Sequence, residues 1–427
     1  MAAFEISDAG RRVRADPHDP AFYNDPYALY RAVHADAGER GVAPAFEWDE
    51  YGFWCLAGFE EVSALLRDKR FGLAPGLPPR TEQIANWWET ERWSLLAIDP
   101  PEHTQMRGLV NRAFLSRQIE RLRPRIAELA NELLATVRAR AAEGPVDLLA
   151  EYAAPLPAIV IAELIGLPRS DARQLLDWSN RMVRMYMFAA TPAERAAIEA
   201  DADGAAREFT EYLRAAIAEH RATPRNDLLT HMLEATEDGA PNGLRLTDGE
   251  VIATAMLLLN AGHEATVHTT GNAVRLILAS GYDPADLFAT PEQTAATVEE
   301  CLRFDAPLHL FTRYALEDVP IDIGGEWLLT ERGQKVGVLL AAANRDPRRF
   351  ADPDRFDPFR NDAGNISFGF GIHYCIGAPL ARIELETSLR AVFADLDRFA
   401  LSEQPAYRDI FHFHGLERLL IETAGAQ

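Results

Sequence analysis

Cysteine is scarce in this chain. Three occur in 427 residues, Cys55, Cys301 and Cys375, widely separated and without a CxxC pair. That excludes a disulfide framework and fits a reducing, cytoplasmic compartment. It also excludes a structural zinc site, which needs about four ligands at short spacing. Lysine is nearly absent, at Lys69 and Lys335 only, so arginine carries the positive charge. Positive charge is itself in deficit: 43 Lys and Arg against 65 Asp and Glu give a formal net charge of −22. Nonspecific binding to nucleic acid or an anionic membrane is thereby excluded. The most apolar stretch, VIATAMLLLNA (251–261), is too short to span a bilayer. The first twenty residues hold no apolar core of signal-peptide length. Gly/Ser linkers and internal repeats are missing too.

What remains is a long, mostly helical pattern. Helical periodicity is expected over 118–142, 147–166, 170–187, 192–221, 247–280, 291–304 and 379–395. Strand-like runs are few and short, at 44–57, 310–323, 335–340 and 409–422. Small sheets built from distant pieces of a helical chain predict one large domain over 1–427, with 1–20 loosely ordered. The 247–280 helix is the best defined. Thr247-Asp-Gly-Glu250 reads as a capping box and Gly281 as its stop. At ~1.5 Å per residue it is roughly 50 Å long, enough to cross a domain of this size. Its middle, NAGHEAT (260–266), sets polar residues where a core helix prefers Leu or Ala. Such local inconsistency is expected at functional sites.

The other conspicuous stretch is FGFGIHYCIGAPLAR (368–382). Cys375 there could be a small buried hydrophobe. A zinc site has only His373 nearby, and a thiol nucleophile has no base that the sequence assigns. The surroundings add a fourth reading. Gly369, Gly371 and Gly377 permit tight backbone paths, and Pro379 marks the start of a helix. A helix N-terminus stabilises a thiolate, and one loop-held thiolate suits iron whose other ligands come from a porphyrin.

This stretch resembles the haem-binding loop of the cytochrome P450 family, F-G-x-G-x-H/R-x-C-x-G. It matches at Phe368, Gly369, Gly371, His373, Cys375 and Gly377. Further motifs agree in order. Glu300-Cys-Leu-Arg303 looks like the family's E-x-x-R, and Arg355 in DPDRFDPFR (352–360) like the third member of a buried charge cluster. NAGHEAT resembles the oxygen-activating stretch of the long central helix. HTQMR (103–107) and Arg313 correspond to positions that bind haem propionates. The resemblance covers about 20–423 and looks like the soluble bacterial branch. It implies a mainly α fold with small β-sheets, a triangular helical prism with haem between the long helix and the cysteine loop. It implies haem b as cofactor, bound by His103, Arg107, Ala261, Arg313, Phe368, Gly369, His373, Cys375 and Gly377, with Cys375 as the iron ligand.

The implied activity is O2- and NAD(P)H-dependent oxidation, foremost hydroxylation, of a small hydrophobic organic molecule. Electrons would come from a ferredoxin or flavodoxin with its reductase. Residues 107–125 hold six arginines and one glutamate, a candidate docking patch alongside the plainer reading of a solvated helix face. Glu264 and Thr266 are the candidate catalytic residues. The family usually reads Asp/Glu-Thr at the acid–alcohol pair, whereas this chain reads Glu264-Ala265-Thr266. A substrate hydroxyl or water could fill the gap, or a helix distortion could bring Thr266 inward. A third reading is peroxide-driven or coupling chemistry, and a noncatalytic haem-binding partner is the rival class. Pocket walls are expected from 72–98, 178–195, Met256–Ala261, Leu308–Phe311 and Phe411–Leu416. Their apolar and aromatic members are Trp87, Trp88, Trp93, Met185, Met187, Phe188, Phe311 and Phe413. His309, His412 and His414 are candidate polar anchors for substrate, and His263 reads as structural.

Overall fold

In the computed structural model, Thr247 and Glu250 cap the longest helix reciprocally. Glu250 N donates to Thr247 Oγ1 at 3.3 Å, and Thr247 N donates to the Glu250 carboxylate at 2.7 Å. Amides without an intrahelical acceptor are thus satisfied, and the central helix runs unbroken from Asp248 to Ser280. Gly281, at φ 76°, takes the left-handed conformation that ends it. The structure describes residues 3–7, 11–73, 76–113, 119–186, 191–236, 245–360, 364–394 and 399–423. Met187, Phe188 and Arg117 lie outside the described residues.

Two compact units form. The first comprises Met1–Gly72, Ala127–Ala153 and Ala265–Gln427, the second Leu73–Ile126 and Ala154–Glu264. Every described strand belongs to the first unit. Its strands are β1 (Glu5–Ile6), β2 (Arg12–Arg14), β3 (Ala45–Trp48), β4 (Phe53–Leu56), β5 (Phe71–Gly72) and β6 (Val146–Asp147). They continue with β7 (Leu310–Ala315), β8 (Val319–Asp322), β9 (Trp327–Thr330), β10 (Lys335–Leu339), β11 (Phe399–Leu401) and β12 (Leu420–Thr423). The main sheet is ordered β1-β2-β3-β4-β10-β7-β5, with β11-β12-β6 and β8-β9 as smaller sheets. β10 joins pieces far apart in sequence, pairing parallel to β4 and antiparallel to β7. Both faces of the main sheet are covered. Phe46, Trp48 and Cys55 pack with Phe22, Tyr30 and Phe411, while Leu56, Val336 and Val338 pack with Val62, Leu65 and Phe350. The 1–20 segment contributes β1 and β2, and Val13 is fully buried between its exposed neighbours Arg12 and Arg14.

Among the described residues of the second unit the regular elements are all helices, joined by turns and irregular segments. Thr191 caps the Pro192–Ala222 helix by accepting from Glu194 N, and Pro192 occupies the first turn, where a missing N–H costs nothing. That helix buries Ala202, Ala205, Ala206 and Phe209, small residues beside one ring, so the Ala172–Val183 helix can approach closely. Trp178 stacks on Phe209 with ring centroids 5.3 Å apart. Asp203 accepts from Asn86 N and Trp87 N at 2.6 and 3.0 Å, capping the short Ala85–Glu91 helix from a neighbouring element.

Candidate functional site: a cysteine loop and a small-residue helix face

Cys375 is held by backbone geometry that only glycine allows at one point. Gly369 and Gly371 have φ of 71° and 74°, and a Cβ on Gly371 would stand 2.1 Å from the Leu66 carbonyl oxygen. Gly369 N donates to Ile366 O at 2.8 Å, and Cys375 N donates to Phe368 O at 3.0 Å, closing the loop on itself. A Cβ on Gly377 would lie 3.8 Å from the Cys375 sulfur, an ordinary contact, so strain does not demand glycine there. The Ala378–Ala394 helix starts three residues after the cysteine, bringing its positive end to the sulfur's neighbourhood. Cys375 is half-buried, whereas Cys55 and Cys301 are buried. Burial pushes both of those thiols up, so they stay protonated and inert.

The loop rests on a buried polar lattice. Asn344 accepts from Ile366 N at 2.8 Å and donates to Ser367 Oγ at 2.8 Å. Ser367 in turn donates to Leu302 O at 2.7 Å, tying the loop to the Pro291–Phe304 helix. On that helix Glu300 and Arg303 form a buried bidentate pair, at 2.7 and 2.8 Å. The third member is Arg360, whose Nε lies 3.0 Å from Glu300, and Asp357 N adds a bond of 2.8 Å. This corrects the expectation for Arg355. Its side chain is 63% exposed and faces Asp357, and only its carbonyl joins the cluster, accepting from Arg303 at 3.2 Å. Two arginines bracket one irregular segment, and the turn at 352–360 decides which points inward.

The central helix has an open face. Residues 251–256 and 266–274 are buried, but Leu257, Asn260, Ala261, Glu264 and Ala265 keep solvent access. Their spacing of i, i+3, i+4, i+7 and i+8 is one stripe, with Ala261 the most exposed. Thr266, 5% exposed, lies off it. His263 faces away, its Nε2 3.1 Å from the Ala154 carbonyl, as expected of a structural residue. Gly262 lets the Pro155–Ile165 helix approach, since a Cβ there would meet Ile161 at 2.7 Å.

The candidate residues fall into two sets. Phe368, Gly369, His373, Cys375 and Gly377 share the loop in the first unit, with Arg313 on β7 of that unit and Thr266 on the central helix. Arg313 is 8% exposed and donates to Thr312 O at 2.9 Å. His103 and Arg107 lie one turn apart on the Glu102–Ala113 helix of the second unit, His103 at 1% exposure. Ala261 and Glu264 belong to that unit as well. Of the arginine-rich 107–125 segment, Arg125 is committed to Glu163 by bonds of 2.9 and 2.8 Å, and Arg123 to Glu120 at 3.2 Å.

Two expected substrate anchors are core residues instead. His309 is fully buried and its Nδ1 lies 2.8 Å from Tyr30 Oη, while His414 stacks on Tyr407 at 3.8 Å between ring centroids. Around them Asp305 binds Arg275 at 3.1 Å and accepts from the Tyr27 and Tyr407 hydroxyls. Burial pushes both imidazoles well below their ordinary pKa, so they are neutral. No local pattern announces this network, because its members come from four separated stretches, 27–30, 275, 305–309 and 407–414. His412 packs edge-on to Tyr51, at 5.8 Å.

A family profile described as Cytochrome P450 matches residues 55–279 and 292–423, running through both units. The fold agrees: P450BioI, solved in complex with a hexadec-9Z-enoic acid-ligated acyl carrier protein, superposes with a TM-score of 0.82 at 29% identity, covering 94% of this chain and 99% of that one. This is the architecture of haem-dependent oxidoreductases that act as monooxygenases. The chain belongs to the cytochrome P450 family and is a haem b enzyme of that class. It is 38% identical to cytochrome P450 107B1 of Saccharopolyspora erythraea, over 94% of this chain and 96% of the relative. It is 33% identical to the 6-deoxyerythronolide B hydroxylase of the same organism, over 96% and 99%. Among the described residues no helix is long and apolar enough to cross a membrane.

The residues present fit haem. A half-exposed thiol stands apart from two inert ones, and Ala261 is a small, exposed residue on an otherwise largely buried helix, of the kind a flat ring can lie against. Arg313, His103 and Arg107 are N–H donors of the kind two propionates need.

Proposed function

We propose that the protein hydroxylates a small hydrophobic organic molecule using O2 and NAD(P)H, with Cys375 as the iron ligand. The carrying observation is the loop: among the three cysteines only Cys375 is accessible, and glycines and the start of a helix hold it in place. The relative named for hydroxylating 6-deoxyerythronolide B supports that reaction type. Phe368, Gly369, His373 and Gly377 would frame the ring on the thiolate side and Ala261 would lie against it. His103, Arg107 and Arg313 would take the propionates. Haem, when bound, supplies reductive activation of dioxygen and insertion of one oxygen atom into a C–H bond.

The remaining work belongs to the chain. Glu264 sits on the open stripe and can hold a proton and pass it inward through water. Ala265 shares that stripe and offers only a methyl group, while Thr266 is buried in unbroken α-helix. Those facts favour a substrate hydroxyl or a water in place of the usual alcohol over a distorted helix. Trp87, Trp88, Trp93, Met185, Phe311 and Phe413 would exclude bulk water around an apolar substrate. Electrons would arrive from a ferredoxin or flavodoxin with its reductase, docking near Arg112 and Arg121. Three thiols and no paired cysteine suit a cytoplasmic location.

Reduced protein under carbon monoxide should show the red-shifted Soret band of thiolate-ligated haem. Cys375→Ala should lose it and Cys301→Ala keep it; a band that survives in Cys375→Ala would refute the ligand. Product formation should require NAD(P)H and the redox partners. Turnover with peroxide alone, at equal rate, would move the protein to the peroxide-using class.

A further inference from the structure

Beside Glu300 on the Pro291–Phe304 helix, Glu299 points to a different partner. Its carboxylate accepts from Arg382 Nε at 2.5 Å and Nη2 at 3.3 Å, and from Asn365 Nδ2 at 2.8 Å. Arg382, on the helix that follows the cysteine, reaches the cysteine loop in two further ways. Its guanidinium carbon stands 4.5 Å from the centroid of the Phe368 ring, and its Nη1 donates to Tyr374 Oη at 3.2 Å. Phe368 supplies the carbonyl that binds Cys375 N, and Tyr374 is the residue before the cysteine. One planar cation therefore grips both sides of the loop, and one carboxylate fixes its orientation. A second guanidinium, Arg67, covers Phe370 at 4.3 Å. Burial alone would lower the Arg382 pKa, but the hydrogen bond and charge of Glu299 outweigh it and raise the value, so Arg382 is always charged.

We propose that Arg382, oriented by Glu299, is a positioning residue for the Cys375 loop and that the net charge of the pair sets the reduction potential of the haem iron. This rests on Cys375 being the ligand. The physical basis is that reduction adds an electron at the iron, so extra positive charge nearby favours it and extra negative charge opposes it. Paired, the two side chains nearly cancel. Unpaired, each leaves a single charge a few residues from the sulfur.

The test is the midpoint potential of the haem-loaded, full-length protein, read by spectroelectrochemistry with the carbon monoxide band as a check on ligation. Glu299→Gln leaves the cation and should shift the potential upward. Arg382→Gln leaves the carboxylate and should shift it downward. The double variant restores neutrality and should return close to wild type. Arg382→Lys keeps the charge without the planar stack and should stay nearer wild type than Arg382→Gln. Shifts of the same sign, or none, with the thiolate band intact would overturn the inference while leaving the ligand assignment standing. So would equal loss of the band in Arg382→Gln and Arg382→Lys, which marks a packing clamp without an electrostatic part. Should Arg382→Gln fail to fold, the signed shift in Glu299→Gln and its reversal in the double variant still decide. Failure of the underlying reading looks different: Cys375→Ala would keep the band.

Discussion

Two buried glutamates, one in each unit, behave in opposite ways. Glu300 in the strand-bearing unit meets Arg303 twice, Arg360 once and one backbone amide. Glu91 in the helical unit, 7% exposed, receives the hydroxyl of Tyr186, whose ring packs on Trp87, at 2.6 Å. Burial pushes the Glu91 carboxyl up to about 7, the phenol bond only partly opposing it. Charge is built into the scaffold where its partners surround it. Where burial dominates and a phenol supplies the bond, the same side chain sits near its point of conversion. The first arrangement suits a support that must not change. The second suits a place whose charge changes with pH.

The sharpest way to break the contrast is Glu300→Ala. It leaves two guanidinium groups buried without their anion and should cost roughly 3–5 kcal/mol, with failure to retain haem. A haem-loaded variant of unchanged melting temperature would show that the cluster contributes little. The next effect in size concerns Glu91→Gln, at about 1–3 kcal/mol. With a folded pKa near 7 against an ordinary 4.5, the folded state keeps a proton that the unfolded chain releases between those values. Wild-type stability therefore falls as pH rises through that window. The variant should melt higher than wild type above pH 7 and equally at pH 4.5; a gain at both pH values would refute the titration. Glu384, 1% exposed and pushed by burial to about 8, should give the same pattern over a wider window in Glu384→Gln. Smallest is Arg355→Ala, expected to leave the melting temperature nearly unchanged because its side chain is exposed, whereas Arg360→Ala should approach the loss expected for Glu300→Ala. Equal melting curves for the two arginine variants would undo the correction made above.

Elements whose signals are local were legible. The capping box at Thr247 and the Gly281 stop set the ends of the central helix to within a residue of its observed bounds, and the 291–304 pattern coincides with the Pro291–Phe304 helix. The Tyr27–Arg40 and Phe59–Arg67 helices were not expected. The first carries almost no amphipathic stripe, because its buried side includes His34, bonded to Ala342 O at 3.0 Å, while its other positions include Ala28, Ala32 and Gly38. The second is short and sits between strand signals. The cysteine loop was legible because its chemistry is contiguous in sequence. The Asp305 network was not, because Tyr27, Arg275, His309, Tyr407 and His414 meet only after folding. Choosing between Arg355 and Arg360 failed for a related reason: an irregular segment has no period from which direction can be read.

The Thr247–Glu250 cap also makes the central helix a dial. Each residue turns it about 100° and advances it about 1.5 Å, so the cap sets the compass bearing of everything downstream. One residue inserted between Glu250 and Leu257 would swing the stripe at 257, 260, 261, 264 and 265 by more than a quarter turn. His263 would then stand at the bearing that Glu264 now holds, and Glu264 at that of Ala265. Seven inserted residues would come within about 20° of the starting angle but displace the stripe by roughly 10 Å. Angle and height coincide only at the present length, so this stretch should tolerate substitution far better than any insertion or deletion.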